Sequence, residues 1–118
     1  MQRRHTPLVL VELGALADAS ECLRTIAHPC RLRMIQMMLS DRYTVGELAE
    51  ACGISSAAAS GHLRLMKDRG FLGQEKDGRT VYYRIVEPQI RSIFACIESR
   101  FGCSVPADQA ERGVEDDD

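Results

Sequence analysis

The chain has 118 residues, of which 45% are hydrophobic and 27% charged, and its formal net charge is −2. This length supports one small domain with a single core and excludes two. The apolar run over residues 8–17 is too short to cross a membrane, and Glu12 interrupts it. We therefore expect a cytoplasmic protein without a membrane partner.

The negative charge comes from the end of the chain. Residues 107–118 carry six acidic side chains against one arginine and have no apolar pattern, so we expect residues 104–118 to form a disordered tail. Residues 1–104 hold 14 basic and 11 acidic side chains, and residues 55–84 hold six and three. The folded part is mildly basic, so attraction to phosphate is available.

Two helices are predicted in the first third of the chain. Residues 1–7 are polar and basic and are expected to be loose, with the folded domain over residues 8–103. Apolar residues recur at helical spacing over residues 8–27, which predicts a first helix. Pro29 suits the first turn of a second helix, which is predicted to run to Ser40.

Residues 44–69 predict two short helices joined by a tight turn. Thr44 is an N-cap with Glu47 as its capping-box partner, and Gly53 ends the first of these helices. Ser55 caps the second helix. A helix–turn–helix of this kind is suited to lie across a DNA duplex.

The following residues favour a hairpin and then a last helix. An Asp77-Gly78 pair lies between two β-prone runs, and glycine accepts the positive φ that a tight turn needs. Beyond Pro88, apolar residues form one stripe of a helix that ends near Gly102. The predicted fold is mainly α with a small β-hairpin, a winged helix-turn-helix in the order α-α-α-α-β-β-α.

The outer face of the second helix of the pair carries small residues that could enter the major groove, where base edges are distinguishable. The base-reading candidates are Ser56, Ala57, Ser60 and Gly61. Glycine inside a helix costs about 1 kcal/mol relative to alanine, and close approach to DNA is one reason to keep it. Phosphate contacts are expected from four basic residues, with a solvated basic face as the alternative. They are Arg64, Lys67, Lys76 and Arg79.

Apolar surface on the terminal helices predicts a homodimer. The helices at about residues 8–25 and 88–101 have more apolar area than a head of this size can cover. The expected interface residues are Leu13, Leu16, Ile90, Ile93, Phe94, Ile97 and Phe101. A two-fold axis would place two recognition helices about one DNA turn apart, so the operator should be an imperfect palindrome.

Several stretches resemble the ArsR/SmtB family of winged-helix repressors. Residues 26–35 (IAHPCRLRMI) are similar to the start of the family's second helix. The segments GELA, GIS and SGHL within residues 46–63 are similar to the family's helix–turn–helix. Residues 67–72 (KDRGFL) and 78–85 (GRTVYYRI) are similar to its segments around the wing. The likeness covers roughly residues 15–101. It implies a homodimer that sits on an operator and leaves when an inducer binds.

The resemblance also bears on metal binding and on one histidine. The family's arsenic and cadmium sites use a CxC cluster on the third helix, where residues 44–48 hold no cysteine. Its zinc and nickel sites use Asp and His on the last helix, which here contains no histidine. Neither metal site is predicted, and the cofactor is left unknown. His62 occupies a position that in the family ties the recognition helix to its neighbours.

Five cysteines without a CxxC pair argue against a disulfide scaffold or a zinc ribbon, and we expect reduced thiols. Cys22 and Cys52 are expected to be small core residues. One branch of the family senses persulfides or oxidants through two thiols, an arrangement that Cys30 and Cys103 loosely resemble. With Cys96, these two are candidates for sensing arsenite, another soft metal or reactive sulfur, and a purely structural role is the alternative.

The leading hypothesis is a dimeric repressor on double-stranded operator DNA, released by an inducer. The alternatives are a winged-helix module that docks proteins, because the recognition helix is poorly charged, and an ArsR-type regulator without a small-molecule inducer. The Cys–His and Ser–His pairs lack a recognised catalytic context, so no enzyme is predicted.

Overall fold

The computed structural model describes residues 7–102 and confirms the predicted order of elements. The described elements are α1 (Leu13–Ile26), α2 (Pro29–Ser40), α3 (Val45–Cys52), α4 (Ser56–Asp68), β1 (Leu72–Asp77), β2 (Thr80–Ile85) and α5 (Ile90–Phe101). The predictions for residues 1–6, for Cys103 and for the tail at 104–118 lie outside the described residues.

One hydrophobic core joins α2, α3, α4 and α5 to the hairpin. The largest side chains with less than 2% exposure are Met34, Ile35, Leu48, Leu63, Met66 and Ile90. Full burial of a side chain of this size stabilises the fold by about 1.5–3 kcal/mol relative to leaving it exposed. These residues come from four helices, so α2 and α5 pack against the helix–turn–helix formed by α3 and α4.

Helix α1 begins at Leu13 and not near residue 8 as predicted. Residues 8–12 are exposed and not helical. Val9 and Val11 are β-branched, which lowers helix propensity, and Glu12 makes no side-chain capping hydrogen bond. An apolar pattern alone was therefore not enough to start the helix there.

Most of α1 lies outside the core. Its buried residues are Thr25 and Ile26, both at its C-terminal end. Cys22, which we expected in the core, is exposed, because α1 joins the rest of the domain only after this position. The prediction of a core role for Cys22 is wrong.

Helix α5 leaves less of its apolar stripe open than predicted. Ile90 and Phe94 are buried in the core of the protomer, which leaves little of their surface for the predicted dimer interface. The reason is that α5 folds against α2, where the Arg91 guanidinium donates to the carbonyl oxygen of Leu39 at 3.4 Å. The half-buried members of the stripe are Ile93 and Ile97. Phe101 remains 72% exposed.

The hairpin pairs β1 and β2 in antiparallel register along their whole lengths. Gly78 opens the turn with a φ of 67°, a left-handed conformation that glycine adopts without a Cβ clash. Strand β1 includes Lys76 and Asp77 and continues up to the turn. Tyr83 is buried and Tyr82 lies on the opposite face of the hairpin.

Candidate DNA-binding interface

Local hydrogen bonds fix the turn between α3 and α4. The backbone N–H of Glu47 donates to Thr44 Oγ1 at 3.1 Å, and the N–H of Thr44 donates to Glu47 Oε1 at 2.8 Å, the predicted capping box. Gly53 ends α3 with a φ of 68°. The N–H of Ile54 then donates to the carbonyl oxygen of Ala49 at 3.0 Å and closes the turn.

Helix α4 has one face in the core and one face open. The N–H of Ala58 donates to Ser55 Oγ at 3.1 Å, which confirms the predicted cap. The buried face consists of Ala59, Leu63 and Met66. The predicted DNA-contacting residues on α4 are the exposed Ser56, Ala57, Gly61 and Arg64 and the half-buried Ser60 and Lys67. The structure therefore brings these six residues onto one uncovered side of the helix.

Gly61 lies at the centre of this open side. A Cβ added at Gly61 would meet no atom within 4 Å. Packing inside the protomer therefore does not require a glycine at this position. The open space in front of the helix backbone is available to a duplex.

Arg42 ties the connector before α3 to the hairpin, a role that no local sequence signal indicated. Its guanidinium donates to Asp77 Oδ2 at 3.0 Å and lies 3.9 Å from the ring centroid of Tyr82. The hydrogen bond to Asp77 raises the pKa of Arg42. Thr44 also pairs with Tyr82 through an isolated β-bridge. These contacts fasten the hairpin to the start of the helix–turn–helix.

The basic residues predicted to contact phosphate are accessible. Lys76 on β1 and Arg79 in the turn are exposed at the tip of the hairpin. Within residues 7–102, none of Arg64, Lys67, Lys76 and Arg79 forms an ion pair with a carboxylate. Their charges are not neutralised within the described part of the protomer, as a phosphate-binding role requires.

His62 joins α4 to the start of α2. Arg31 Nε donates to His62 Nδ1 at 2.9 Å, and the ring of His28 lies 4.7 Å from that of His62 between centroids. Burial, followed by the nearby Arg31 and His28, lowers the pKa of His62. The structural role implied by the family resemblance is confirmed. No role was predicted for Arg31, although it lies within one of the motifs.

The described cysteines do not form a three-thiol cluster. Cys30 is buried, Cys96 is exposed on α5, and Cys103 lies outside the described residues. The buried thiol of Cys52 donates to the carbonyl oxygen of Cys30 at 3.5 Å, which confirms its predicted core role. Burial and the neighbouring Cys30 raise the pKa of Cys52 to about 12, so this thiol is unreactive. No group of three His, Cys, Asp or Glu among residues 7–102 could hold a metal ion.

A helix–turn–helix with an open second helix and a fastened hairpin defines a winged helix-turn-helix protein. Residues 28–72 match the family described as "Bacterial regulatory protein, arsR family". The HTH-type transcriptional regulator YgaV of Escherichia coli (strain K12) is 32% identical over 92 residues, covering 76% of this chain and 93% of that protein. The chain therefore belongs to the ArsR family.

Two further proteins extend this comparison. A probable mercury resistance operon repressor of Streptomyces lividans is 31% identical over 70 residues, covering 59% of this chain and 56% of that protein. The solution structure of a homodimeric winged helix-turn-helix DNA-binding domain, Mb0332 from Mycobacterium bovis, has a TM-score of 0.65 at 23% identity. The match covers 74% of this chain and 81% of the Mycobacterium bovis domain, and at this identity it shows the shared fold alone.

Membership of the family makes the protein a DNA-binding transcriptional regulator and confirms the prediction that it is not an enzyme. Across residues 7–102, no helix combines the length and the apolar character needed to span a bilayer.

Proposed function

We propose that this protein is a homodimeric repressor that binds an imperfect palindromic operator and is released by an inducer sensed through cysteine thiols. The open side of α4 is the observation that supports the DNA-binding part of this proposal. Small and basic residues line that side, while the opposite face is fixed in the core. The fastened hairpin beside it gives a second point of contact with the duplex.

We infer that Ser56, Ala57, Ser60 and Gly61 face the base edges in the major groove. Their side chains are short, so they make few bidentate hydrogen bonds to bases. Gly61 has no side chain with which to contact a base. Much of the sequence preference then comes from the shape and deformability of the operator.

We assign the phosphate contacts to Arg64 and Lys67 on α4 and to Lys76 and Arg79 on the hairpin. Each neutralised phosphate releases counterions, so the logarithm of the association constant falls with the logarithm of salt concentration by about 0.9 per contact. Four contacts in each of two protomers would give a steep dependence on salt.

The proposed dimer uses the apolar surface that the protomer leaves open. Leu13 is 81% exposed, Leu16 46% and Phe101 72%. Together with the half-buried Ile93 and Ile97 they extend over α1 and α5, and pairing with a second copy removes this surface from water. The homodimeric state of the Mycobacterium bovis domain supports this arrangement.

Selection from a pool of random duplexes at low salt tests DNA binding. We expect the full chain to enrich an imperfect palindrome and to release it as salt rises. Arg64→Ala should weaken binding of the enriched duplex by about 3- to 10-fold and flatten the salt dependence. Arg112→Ala, which removes an arginine outside the described residues, is the matched control and should bind like wild type. Failure to enrich any duplex would favour the protein-docking alternative.

The sensing part of the proposal concerns Cys30, Cys96 and Cys103, in a cytoplasm that keeps thiols reduced. Cys96 is exposed and accessible to a thiol reagent, whereas Cys30 is buried beside Cys52. Thiolates bind soft metals, and one relative is named as a probable mercury resistance operon repressor.

The enriched duplex also tests thiol sensing. Arsenite, mercuric ion and a persulfide donor are added in turn to the complex with wild type and with Cys30→Ser, Cys96→Ser and Cys103→Ser. We expect at least one reagent to release wild type and at least one of these variants to resist it. Cys22→Ser is the control, because Cys22 is exposed on α1 but is not a candidate. Release of all variants at wild-type concentrations contradicts thiol sensing and supports a regulator without a thiol-sensed inducer.

A further inference from the structure

A polar bridge connects the recognition helix α4 to two other helices. It consists of Arg31, His28 and His62 and is called the Arg31 bridge below. Arg31 Nε donates to His62 Nδ1 at 2.9 Å, while another nitrogen of the same guanidinium donates to the carbonyl oxygen of Thr25 at 2.8 Å. One side chain therefore joins the end of α1, the first turn of α2 and the middle of α4.

The hydrogen bonds determine where the histidine protons lie. Arginine only donates, so His62 Nδ1 must be an unprotonated acceptor. His28 is the N-cap of α2, and its Nδ1 accepts the backbone N–H of Cys30 at 3.1 Å. That nitrogen must also be unprotonated. Both imidazoles are therefore neutral in this arrangement, with their protons on Nε2.

A proton on His62 Nδ1 breaks the bridge. It removes the acceptor that Arg31 uses and adds a positive charge near the guanidinium. In the described part of the chain, no carboxylate pairs with the three bridge side chains.

The charged residues next to the bridge do not stabilise a protonated histidine within it. Arg69 donates to Thr25 Oγ1 at 3.4 Å and lies 3.6 Å from Glu21 Oε1. Glu21 is itself paired with Arg24 at 2.9 Å. This acidic residue is shared between two arginines and is not bonded to either histidine, so it does not stabilise an imidazolium at the bridge.

We propose that the Arg31 bridge positions α4 for DNA binding only while His62 is neutral, so that acidification lowers operator affinity. His62 directly follows Gly61, and a shift of α4 at this point moves the whole base-reading side. The inference rests on the proposed binding of DNA through α4 and adds a positioning role for Arg31 and His28.

The direction of the pKa shift agrees with this proposal. Burial, Arg31 and His28 lower the pKa of His62 below its ordinary value of 6.5. The folded protein then binds fewer protons at this site than the unfolded chain does. The stabilisation from neutral His62 is complete above about pH 6.5 and is lost as the pH falls toward the lowered pKa.

The expected effect is opposite to that of general electrostatics. Protonation of histidines and carboxylates makes a protein more positive and strengthens its attraction to phosphate. Weaker binding at acid pH is therefore a specific signature of the bridge.

Asparagine variants separate titration from structure. Asparagine Oδ1 can accept the hydrogen bonds that Nδ1 accepts, asparagine is a favoured N-cap, and it does not titrate near neutral pH. The dissociation constant of the enriched duplex is measured for the full chain between pH 7.5 and 5.5 at constant ionic strength. We expect the wild-type dissociation constant to rise several-fold but by no more than about 10-fold, because the pKa of His62 lies below 6.5 and part of the protein keeps a neutral His62 at pH 5.5. The double variant His28→Asn/His62→Asn should weaken by less than about 2-fold or should tighten.

His5→Asn is the control for the remaining histidine and should follow wild type. Wild-type affinity that stays constant or rises on acidification overturns the proposal, as does a double variant that weakens in parallel with wild type. Should the double variant not fold, nitrogen-15 NMR of the wild-type histidines at pH 7.5 decides, because a proton on His62 Nδ1 contradicts the bridge. Failure of the proposed DNA binding can be distinguished from failure of the bridge proposal, because no duplex would then be enriched at pH 7.5.

Discussion

The helix–turn–helix and the terminal helices differ in how completely one protomer packs them. Side chains cap both α3 and α4, and the buried faces of these helices meet in the core. The N-terminal ends of α1 and α5 have no side-chain cap hydrogen bond, and large apolar residues on both helices remain exposed. The helix–turn–helix is therefore well packed within one chain, whereas the terminal helices leave the apolar surface that the proposed dimer would bury.

Leu63→Ala should cause the largest loss of stability. Leu63 is fully buried on α4, so its truncation should lower the free energy of unfolding by about 2–5 kcal/mol in urea titrations. Leu13→Ala is the matched control at an 81% exposed position and should change it by less than about 0.5 kcal/mol in dilute protein. A comparable loss in both variants would mean that α1 is as firmly packed as α4.

Phe101→Glu should weaken the proposed dimer. The substitution places a charge in apolar surface that pairing would bury, and we expect the dissociation constant from sedimentation velocity to rise at least about 10-fold. Ser99→Glu adds the same charge on the opposite side of α5 and should leave the dimer unchanged. Equal weakening by both variants, or a wild-type chain that is monomeric at high concentration, would contradict the proposed interface.

Gly61→Ala should have the smallest effect of the three substitutions and, unlike Leu63→Ala, should raise the free energy of unfolding. The added Cβ meets no atom within 4 Å, so stability should rise by up to about 1 kcal/mol. Affinity for the enriched duplex should fall if the backbone of α4 approaches DNA closely. Gly14→Ala on α1 is the control, since its Cβ also meets nothing within 4 Å. It should stabilise the protein without changing DNA binding, whereas tighter binding by Gly61→Ala would contradict close approach.

Helix ends and turns that are formed by residues close together in the sequence could be predicted from the sequence. The Thr44 and Glu47 capping box spans three residues, and Gly53 ends α3 through its own backbone conformation. The Gly78 turn is similarly local. These signals fixed the helix–turn–helix and the hairpin, and with them the open side of α4.

Features that depend on tertiary packing could not be predicted in the same way. Helical spacing correctly put Ile90 and Phe94 on one stripe, but it does not say whether α2 covers that stripe. Spacing likewise did not show that Cys22 precedes the point where α1 meets the core. The bond between Arg31 and His62 joins residues 31 positions apart, so no local pattern contains it.

Hydroxyl-radical footprinting of the enriched duplex tests most directly whether α4 and the hairpin read DNA in a dimer. Two protected patches about 10 base pairs apart, related by the two-fold symmetry of the palindrome, are expected with wild type. Arg64→Ala should give the same two patches at higher protein concentration. A single patch, or protection without symmetry, would contradict a dimer that presents two recognition helices to one operator.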